Sequence, residues 1–199
     1  MYRFYLVAVD TLPGALILLP VYLVLNKVYF RNIEKSIIYY LLSCYLSAIF
    51  VVVGLPNITY IRPELNLNLI PIAGMLHDWK NSILNVILFI PLGLVLPILW
   101  QKYRHVHTAM LFGFGISLAI ELLQMLTFRT TDINDLITNT IGTCLGFFVT
   151  KKLWVQFPNL VQRIQEEHTR GLRILLVTVF FVMFFLYPFV SSTMWNFIL

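Results

Sequence analysis

Four ionisable side chains fall within 15 positions of a chain that otherwise avoids charge. They lie in the stretch ELLQMLTFRTTDINDLITNT, and they are Glu121, Arg129, Asp132 and Asp135. Carboxylates beside an arginine are the groups that general acid–base catalysis and the binding of anionic head groups use. Only 12% of the 199 residues are charged, about half the share of an average soluble domain. The stretch is therefore the first candidate for a functional site.

The elements that position these residues are expected to be membrane helices. The chain is 59% hydrophobic, and its mean hydropathy is +0.83. A span needs about 20 apolar residues, and backbone groups in lipid must be paired within the segment, so each span is expected to be helical. The predicted fold class is an all-α, polytopic membrane helical bundle of about six transmembrane helices. The predicted spans are 11–26, 37–55, 82–99, 108–128, 134–150 and 172–196.

The loops between these spans alternate in basic content. Ten of the 14 Lys and Arg residues lie in the loops 27–36, 100–107 and 151–173. The positive-inside rule places these loops in the cytoplasm, so both termini and the acidic stretch are predicted to be extracellular. Orientation in the membrane accounts for the net charge of +5. No zinc-finger spacing or RNA-binding motif is present, so no nucleic-acid partner is expected.

Polar side chains on three predicted spans are expected to converge near the outer surface. Glu121 lies roughly 10 Å below the predicted end of span four, and a second polar residue shares its helix face. Asp132, Asp135 and Asn139 are spaced i, i+3, i+7 along one face of span five. Asn85 lies on the first turn of span three. The pattern predicts an outward-open polar pocket between these spans. Its predicted binding residues are Asn85, Glu121, Gln124, Arg129, Asp132, Asp135 and Asn139.

Structural roles compete with this interpretation. Asp132 is placed to be the N-cap of span five, where Asn would serve as well, and Asp135 lies where an acid complements the helix dipole. The amides would form interhelical hydrogen bonds, and Arg129 would pair with the acids at the membrane surface. Glu121 lies too deep in its predicted span to cap a helix. A carboxyl inside a span costs several kcal/mol unless it is partnered or protonated, so Glu121 is the strongest functional candidate.

The longest outward loop, 56–81, contains the stretch LNLNLIPI. The alternation of apolar and polar residues and the flanking prolines predict an extended segment rather than a span. Trp79 lies at the end of this loop, where an interfacial aromatic residue belongs.

Three pieces of the sequence resemble a known family in their order and spacing. They are NVILFIPLG at 85–93, ELLQ at 121–124 and RTTDINDLITNTIG at 129–142. The VanZ-like family, named for a teicoplanin resistance protein, commonly shows Asn before F-x-P-L-G, then E-x-x-Q, then Arg before an acidic D-x-x-D-x-x-x-N-x-x-G stretch. The resemblance divides the chain into three predicted parts. These are an N-terminal span and cytoplasmic loop at 1–36, a VanZ-like four-helix membrane core at 37–150, and a cytoplasmic connector and C-terminal span at 151–199.

The resemblance implies a cell-envelope protein in the plasma membrane of a Gram-positive bacterium. In that setting, the outward pocket would engage a lipid-linked wall precursor or a lipoglycopeptide antibiotic of the teicoplanin type at the outer leaflet. Low-level glycopeptide resistance would follow. The expected partners are therefore a membrane lipid or lipid-linked head group and a glycopeptide antibiotic.

Two other functions stay open at this point. An intramembrane enzyme acting on a lipid-linked envelope substrate would use Glu121 as general acid or base, Asp135 as its partner and Arg129 as an electrophilic clamp. A proton-coupled lipid or small-molecule transporter would use Glu121 as its protonation site. The sequence has no Walker, GxSxG or HExxH motif, and the DIND run lacks the glycine and distal glutamate of a calcium loop. No metal or cofactor is therefore expected, and the oligomeric state stays open.

Overall fold

Helices make up nearly all of the regular structure. The computed structural model describes residues 2–71, 78–156 and 158–198. Its α-helices are α1 (Tyr2–Leu25), α2 (Ile33–Val52), α3 (Trp79–Leu99), α4 (Val106–Gln124), α5 (Ile133–Gln156), α6 (Pro158–Ile164), α7 (Arg170–Phe181) and α8 (Tyr187–Ile198). Short π- and 3-10-helical turns are found at Asn26–Phe30, Gln101–Arg104 and Val182–Leu186. Two short strands are β1 (Leu67–Asn68) and β2 (Thr131–Asp132). The predicted all-α class is confirmed.

Among the described residues, five segments are long and apolar enough to cross a membrane, and they correspond to five of the six predicted spans. They are Val9–Phe30, Ile33–Val52, Trp79–Leu99, Val106–Gln124 and Arg170–Phe197. The helix at the remaining predicted span is α5, whose 24 residues would extend about 36 Å. That length exceeds the hydrocarbon core of about 30 Å, but polar and basic side chains lower the hydropathy of α5. The chain is a multi-pass membrane protein.

The helices are grouped into two compact units. One unit comprises Met1–Arg62 and Arg170–Leu199, and the other comprises Pro63–Thr169. The first contains α1, α2, α7 and α8, and the second contains α3 to α6 with both strands. Packing therefore groups α2 with α1, whereas the predicted core groups it with α3, α4 and α5. The division into 1–36, 37–150 and 151–199 stays a prediction.

Within the first unit, polar side chains form hydrogen bonds between helices. The Tyr22 hydroxyl and Ser43 Oγ are 2.6 Å apart, and Ser36 Oγ donates to the Tyr22 carbonyl at 3.1 Å. Towards the start of α1, Trp195 Nε1 of α8 donates to Asp10 Oδ1 at 2.9 Å. These bonds satisfy polar groups that would be costly to leave unpaired in an apolar environment.

Within the second unit, α3 and α5 pack backbone against backbone. A Cβ at Gly142 would collide with the Val86 carbonyl, and a Cβ at Gly146 would collide with the Ile90 carbonyl. Small residues permit such close approach between membrane helices, whose association depends on van der Waals packing. The two contacts advance together along both helices, so α3 and α5 run parallel. Their starts, which carry several predicted site residues, are therefore adjacent.

Candidate functional site

A short parallel strand pair lies beside the end of α4 and the start of α5. Leu67 pairs with Thr131 and Asn68 pairs with Asp132, and the Thr131 amide donates to the Asn66 carbonyl at 2.9 Å. The extended segment predicted from LNLNLIPI is therefore present at β1. It holds the chain entering α5 against residues that lie 64 positions earlier.

The carboxylate of Glu121 joins α4 to the start of α5. Glu121 is only 3% exposed, and its Oε2 accepts a hydrogen bond from the Asp132 amide at 2.8 Å. Asp132 directly precedes α5, so Glu121 does from a neighbouring helix what the glutamate of a capping box does within its own helix. The expectation that Glu121 could not act as a cap was wrong, because the cap belongs to α5 rather than to α4.

The end of α4 also differs from the sequence-based prediction. Span four was predicted to end at 128, but α4 ends at Gln124. There the Thr127 amide and Thr127 Oγ1 both donate to the Gln124 carbonyl at 2.9 Å. Glu121 therefore lies about 5 Å, not roughly 10 Å, from the end of its helix.

Asp132 is hydrogen-bonded through both carboxylate oxygens. Its Oδ1 accepts from the Asn134 amide and from Asn134 Nδ2, each at 2.8 Å, and its Oδ2 accepts from Asn68 Nδ2 at 3.0 Å. A side chain that accepts from the second residue of the following helix is an N-cap. The predicted N-cap role of Asp132 is confirmed. Asp135 lies in the first turn of α5, where an acid complements the helix dipole.

Two asparagines outside the predicted set connect the extended segment to α5. Asn134 is 3% exposed, and its Nδ2 donates to the Ile70 carbonyl at 3.2 Å. Asn68 donates to Asp132 from the other side. Sequence reasoning missed both because their partners are distant in the chain. The available signal was the alternation in LNLNL, which places Asn66 and Asn68 on one face of an extended segment.

Asn85, Arg129 and Asp135 form a more accessible group, which we call the polar rim. Asn85 and Asp135 are half-buried, whereas Arg129 is exposed. The Asn85 side chain lies near enough to the Asp135 carboxylate to interact with it, and the Arg129 charge attracts the same carboxylate. The polar rim thus combines an amide, a guanidinium and a carboxylate at the adjacent ends of the second unit's helices.

Asn139 lies deeper, about 9 Å along α5 from its start. Its Nδ2 donates to Ser117 Oγ at 2.9 Å, and both residues are buried. The Asn139 Oδ1 has no hydrogen-bond partner among the described residues. Because Ser117 precedes Glu121 by four residues on α4, this pair lies one helical turn below Glu121.

The structure brings the predicted residues together at one end of the second unit. Glu121 contacts Asp132, and Asn85 contacts Asp135, while Gln124 is buried one turn beyond Glu121 at the end of α4. Arg129 acts on this group through its charge, and Asn139 lies beneath it. That these residues form one ligand site open to the outside stays a prediction.

The chemistry of this region is that of carboxylates, amides and one exposed guanidinium. Asp132 and Asp135 both interact electrostatically with Glu121, so three carboxylates share a small volume. Such groups can exchange protons or bind the amines and hydroxyls of a ligand, and Arg129 can bind a phosphate. In the part of the chain that the structure describes, no group of three or more His, Cys, Asp or Glu side chains is arranged to hold a metal ion.

Comparison with known proteins concerns the same central part of the chain. A family model described as VanZ/LLP1 matches residues 36–156, a range that contains every predicted site residue. Protein VanZ from Enterococcus faecium is 37% identical over 84 residues, which cover 41% of this chain and 50% of that protein. The chain thus spans about half the length of this curated relative. No solved structure matches the chain. Since the family model covers more than half of its residues, the chain belongs to the VanZ/LLP1 family.

Proposed function

We propose that this protein works in the bacterial cell envelope, at the outer leaflet of the plasma membrane. There it engages a lipid-linked wall precursor or a lipoglycopeptide antibiotic of the teicoplanin type and gives low-level glycopeptide resistance. Membership of the VanZ/LLP1 family supports this setting, because the family it resembles is named for a teicoplanin resistance protein. The 37% identity to protein VanZ from Enterococcus faecium supports it further, within the half of that protein that is matched.

The observation that carries the proposal is the polar rim above the buried carboxylate of Glu121. The planar guanidinium of Arg129 can bind a phosphate or carboxylate group through two hydrogen bonds. Asp135 and Asn85 can bind the amines, amides and hydroxyls that sugar and peptide head groups carry. A wall precursor and a glycopeptide both present these groups, so both match the donors and acceptors of the rim.

Exposed leucines beside the polar rim support a ligand that has a lipid tail. On the extended segment, Leu65, Leu67 and Leu69 are 75%, 51% and 62% exposed. Asn68 lies between Leu67 and Leu69 on the other face of the segment, and it donates to the Asp132 carboxylate. One face of the segment therefore joins the polar cluster, and the leucines offer apolar surface. A ligand with a polar head and a hydrocarbon tail would bury apolar area here while its head reached the rim.

An intramembrane enzyme is the second candidate, and one observation favours it. Glu121 and Asp135 interact electrostatically, although Glu121 is buried and Asp135 reaches the accessible rim. Paired carboxylates in different environments can divide the roles of general acid and general base. A change in the mass of a lipid-linked precursor incubated with the purified protein would favour this candidate over binding alone.

The test of the proposal is teicoplanin susceptibility in a Gram-positive host that expresses each variant. We expect Arg129→Ala and Asp135→Asn to lose most of the protection that the wild type gives, because each removes one charged group from the polar rim. Lys80→Ala is the matched control. Lys80 is an exposed cation on the same predicted side of the membrane, and the rim does not include it.

Membrane abundance of each variant is measured in parallel. Normal protection by well-expressed Arg129→Ala and Asp135→Asn would contradict the proposal.

A susceptibility test with a glycopeptide that has no lipid tail distinguishes the two candidate ligands, the wall precursor and the lipoglycopeptide. Protection against both antibiotics indicates the wall precursor, and protection against teicoplanin alone indicates the lipoglycopeptide.

A further inference from the structure

A small polar pocket lies at the end of the second unit opposite the polar rim. It has a volume of about 180 Å³ and is lined by Arg104, Trp154, Pro158, Val161 and Gln162. These residues belong to the turn after α3, the end of α5 and α6, whereas the polar rim lies at the starts of α3 and α5. The pocket is therefore separate from the candidate functional site.

Two residues of this pocket carry buried N–H groups to which no described residue offers an acceptor. Arg104 Nε and Trp154 Nε1 are buried, and neither has a hydrogen-bond partner among the described residues. The Arg104 guanidinium lies over the Trp154 ring, with Cζ 5.3 Å from the ring centroid. This cation–π contact holds the two side chains against each other. Because buried donors without acceptors destabilise a fold and are rare, two of them in one pocket require an explanation.

We infer that this pocket binds a phosphate-type oxyanion. The indole of Trp154 can only donate, and the guanidinium of Arg104 has no acceptor and keeps its charge in proteins. A ligand that satisfies both must accept two hydrogen bonds, and negative charge favours it further. A phosphate group provides both properties.

The size and charge of the surroundings fit this ligand. The pocket is smaller than the roughly 300–1,000 Å³ of pockets that hold drug-sized molecules, so it suits one small head group. Lys151 and Lys152 of α5 are exposed at the same end of the unit. Two acids, Glu166 and Glu167, follow α6 there, but the basic residues, with Arg104, outnumber them. The local charge therefore attracts an anion.

Two sources supply this chemistry, namely free inorganic phosphate and the head-group phosphate of a membrane lipid. The full-length protein, purified in an uncharged detergent, is titrated with each. Sodium phosphate is compared with sodium chloride at equal ionic strength, and binding is followed by the thermal unfolding midpoint. Phosphatidylglycerol is compared with a phosphate-free galactolipid that has the same acyl chains, and native mass spectrometry measures the lipid retained.

Trp154→Phe is the sharpest variant, because it removes the indole N–H and leaves an aromatic ring beneath Arg104. We expect the apparent Kd for the phosphate-bearing probe to rise about tenfold, as for the loss of one hydrogen bond to a charged group. Arg104→Gln removes the charge and the Nε–H together and should weaken binding by about tenfold or more. Lys102→Gln is the matched control from the same turn. It should change the Kd by less than about twofold, since salt screens an exposed charge.

Each outcome either identifies the source of the bound phosphate group or contradicts the inference. Binding of inorganic phosphate, weakened by Trp154→Phe, assigns a site for a free oxyanion, and retention of phosphatidylglycerol alone assigns a lipid head-group site. Failure of the wild type to bind either probe would overturn the inference and leave both N–H groups to water. Equal weakening by Lys102→Gln and Trp154→Phe would overturn it as well. Arg104→Lys keeps the charge and removes the Nε–H, so it replaces Trp154→Phe if that variant does not fold.

Discussion

At the scale of single residues, Glu121 combines a structural contact and a candidate functional group in one carboxylate. Its Oε2 holds the Asp132 amide at the start of α5, so removing it would loosen the same region that a ligand would need. Glutamine has an amide oxygen that can accept the same hydrogen bond, whereas alanine has none. Comparing these two substitutions therefore separates the acceptor from the ionisable group.

We expect Glu121→Gln to fold and to accumulate in the membrane like the wild type, because a neutral amide is tolerated in the membrane better than a charge. Teicoplanin protection should fall, because the ionisable oxygen is lost. Glu121→Ala should destabilise the purified protein by about 1–3 kcal/mol, since the partly buried Asp132 N–H loses its acceptor. Thermal unfolding in detergent measures the stability of both variants, and teicoplanin susceptibility measures their protection. Equal instability of the two variants would show that the charge itself holds the structure. Normal protection by Glu121→Gln would exclude a functional role for the ionisable oxygen.

Asp132 and Asn68 form a donor–acceptor pair whose direction can be reversed. A cap role alone predicts that Asp132→Asn is mild, but the new amide would place a second NH₂ group against Asn68 Nδ2. We therefore expect a loss of about 1 kcal/mol or more, which Asn68→Asp in the same protein should partly restore. A double-mutant cycle of unfolding free energies measures this coupling. Purely additive effects would contradict the pairing.

At the scale of elements, hydropathy located the helices but not all of their ends. The spans were predictable because about 20 apolar residues have one stable solution in lipid, a helix. The end of α4 was placed four residues too late, because Met125, Leu126 and Phe128 are apolar and a turn among apolar residues leaves hydropathy unchanged. The pairing of β1 with β2 was beyond prediction, since it joins positions 64 residues apart.

The residue types of the candidate site were predictable, but its connections were not. Position relative to a predicted helix start was enough to identify Asp132 as an N-cap. The hydrogen bond from the Asp132 amide to Glu121 depends on where α4 ends and how closely it meets α5. The spacing of residues along the sequence does not predict that geometry. For the same reason, the contributions of Asn68 and Asn134 became visible only once distant segments were placed together.

The close contact between α3 and α5 gives a prediction at this scale. Gly146→Ala should destabilise the protein by about 1–3 kcal/mol, the usual cost of overpacking, because the added methyl group meets the Ile90 carbonyl. Gly115→Ala is the control, since a Cβ there meets nothing within 4 Å and alanine favours a helix by up to about 1 kcal/mol over glycine. Thermal unfolding compares them. Equal stability of the two variants would rule out the backbone contact.

At the scale of the whole molecule, the proposed function requires the polar rim to face the cell exterior. Single cysteines, introduced into a variant without Cys44 and Cys144, test this orientation in intact cells. We expect a cysteine at the exposed position Asn196 to react with a membrane-impermeant thiol reagent and one at Glu167 to be protected. The positive-inside rule is the physical reason, because the loop that contains Glu167 also holds five basic residues. The reverse labelling pattern would place the polar rim in the cytoplasm.

The central claim is that the polar rim binds a ligand with a polar head and a lipid tail. The most direct measurement is mass spectrometry of the molecules that co-purify with the protein in native-lipid particles from teicoplanin-treated cells. We expect the wild type to retain a lipid-linked wall precursor or teicoplanin. The Arg129→Ala, Asp135→Asn double variant should retain at most about one tenth of that amount, because it loses charge-assisted hydrogen bonds. Equal amounts on the wild type and an equally abundant double variant, or neither ligand on the wild type, would contradict the claim.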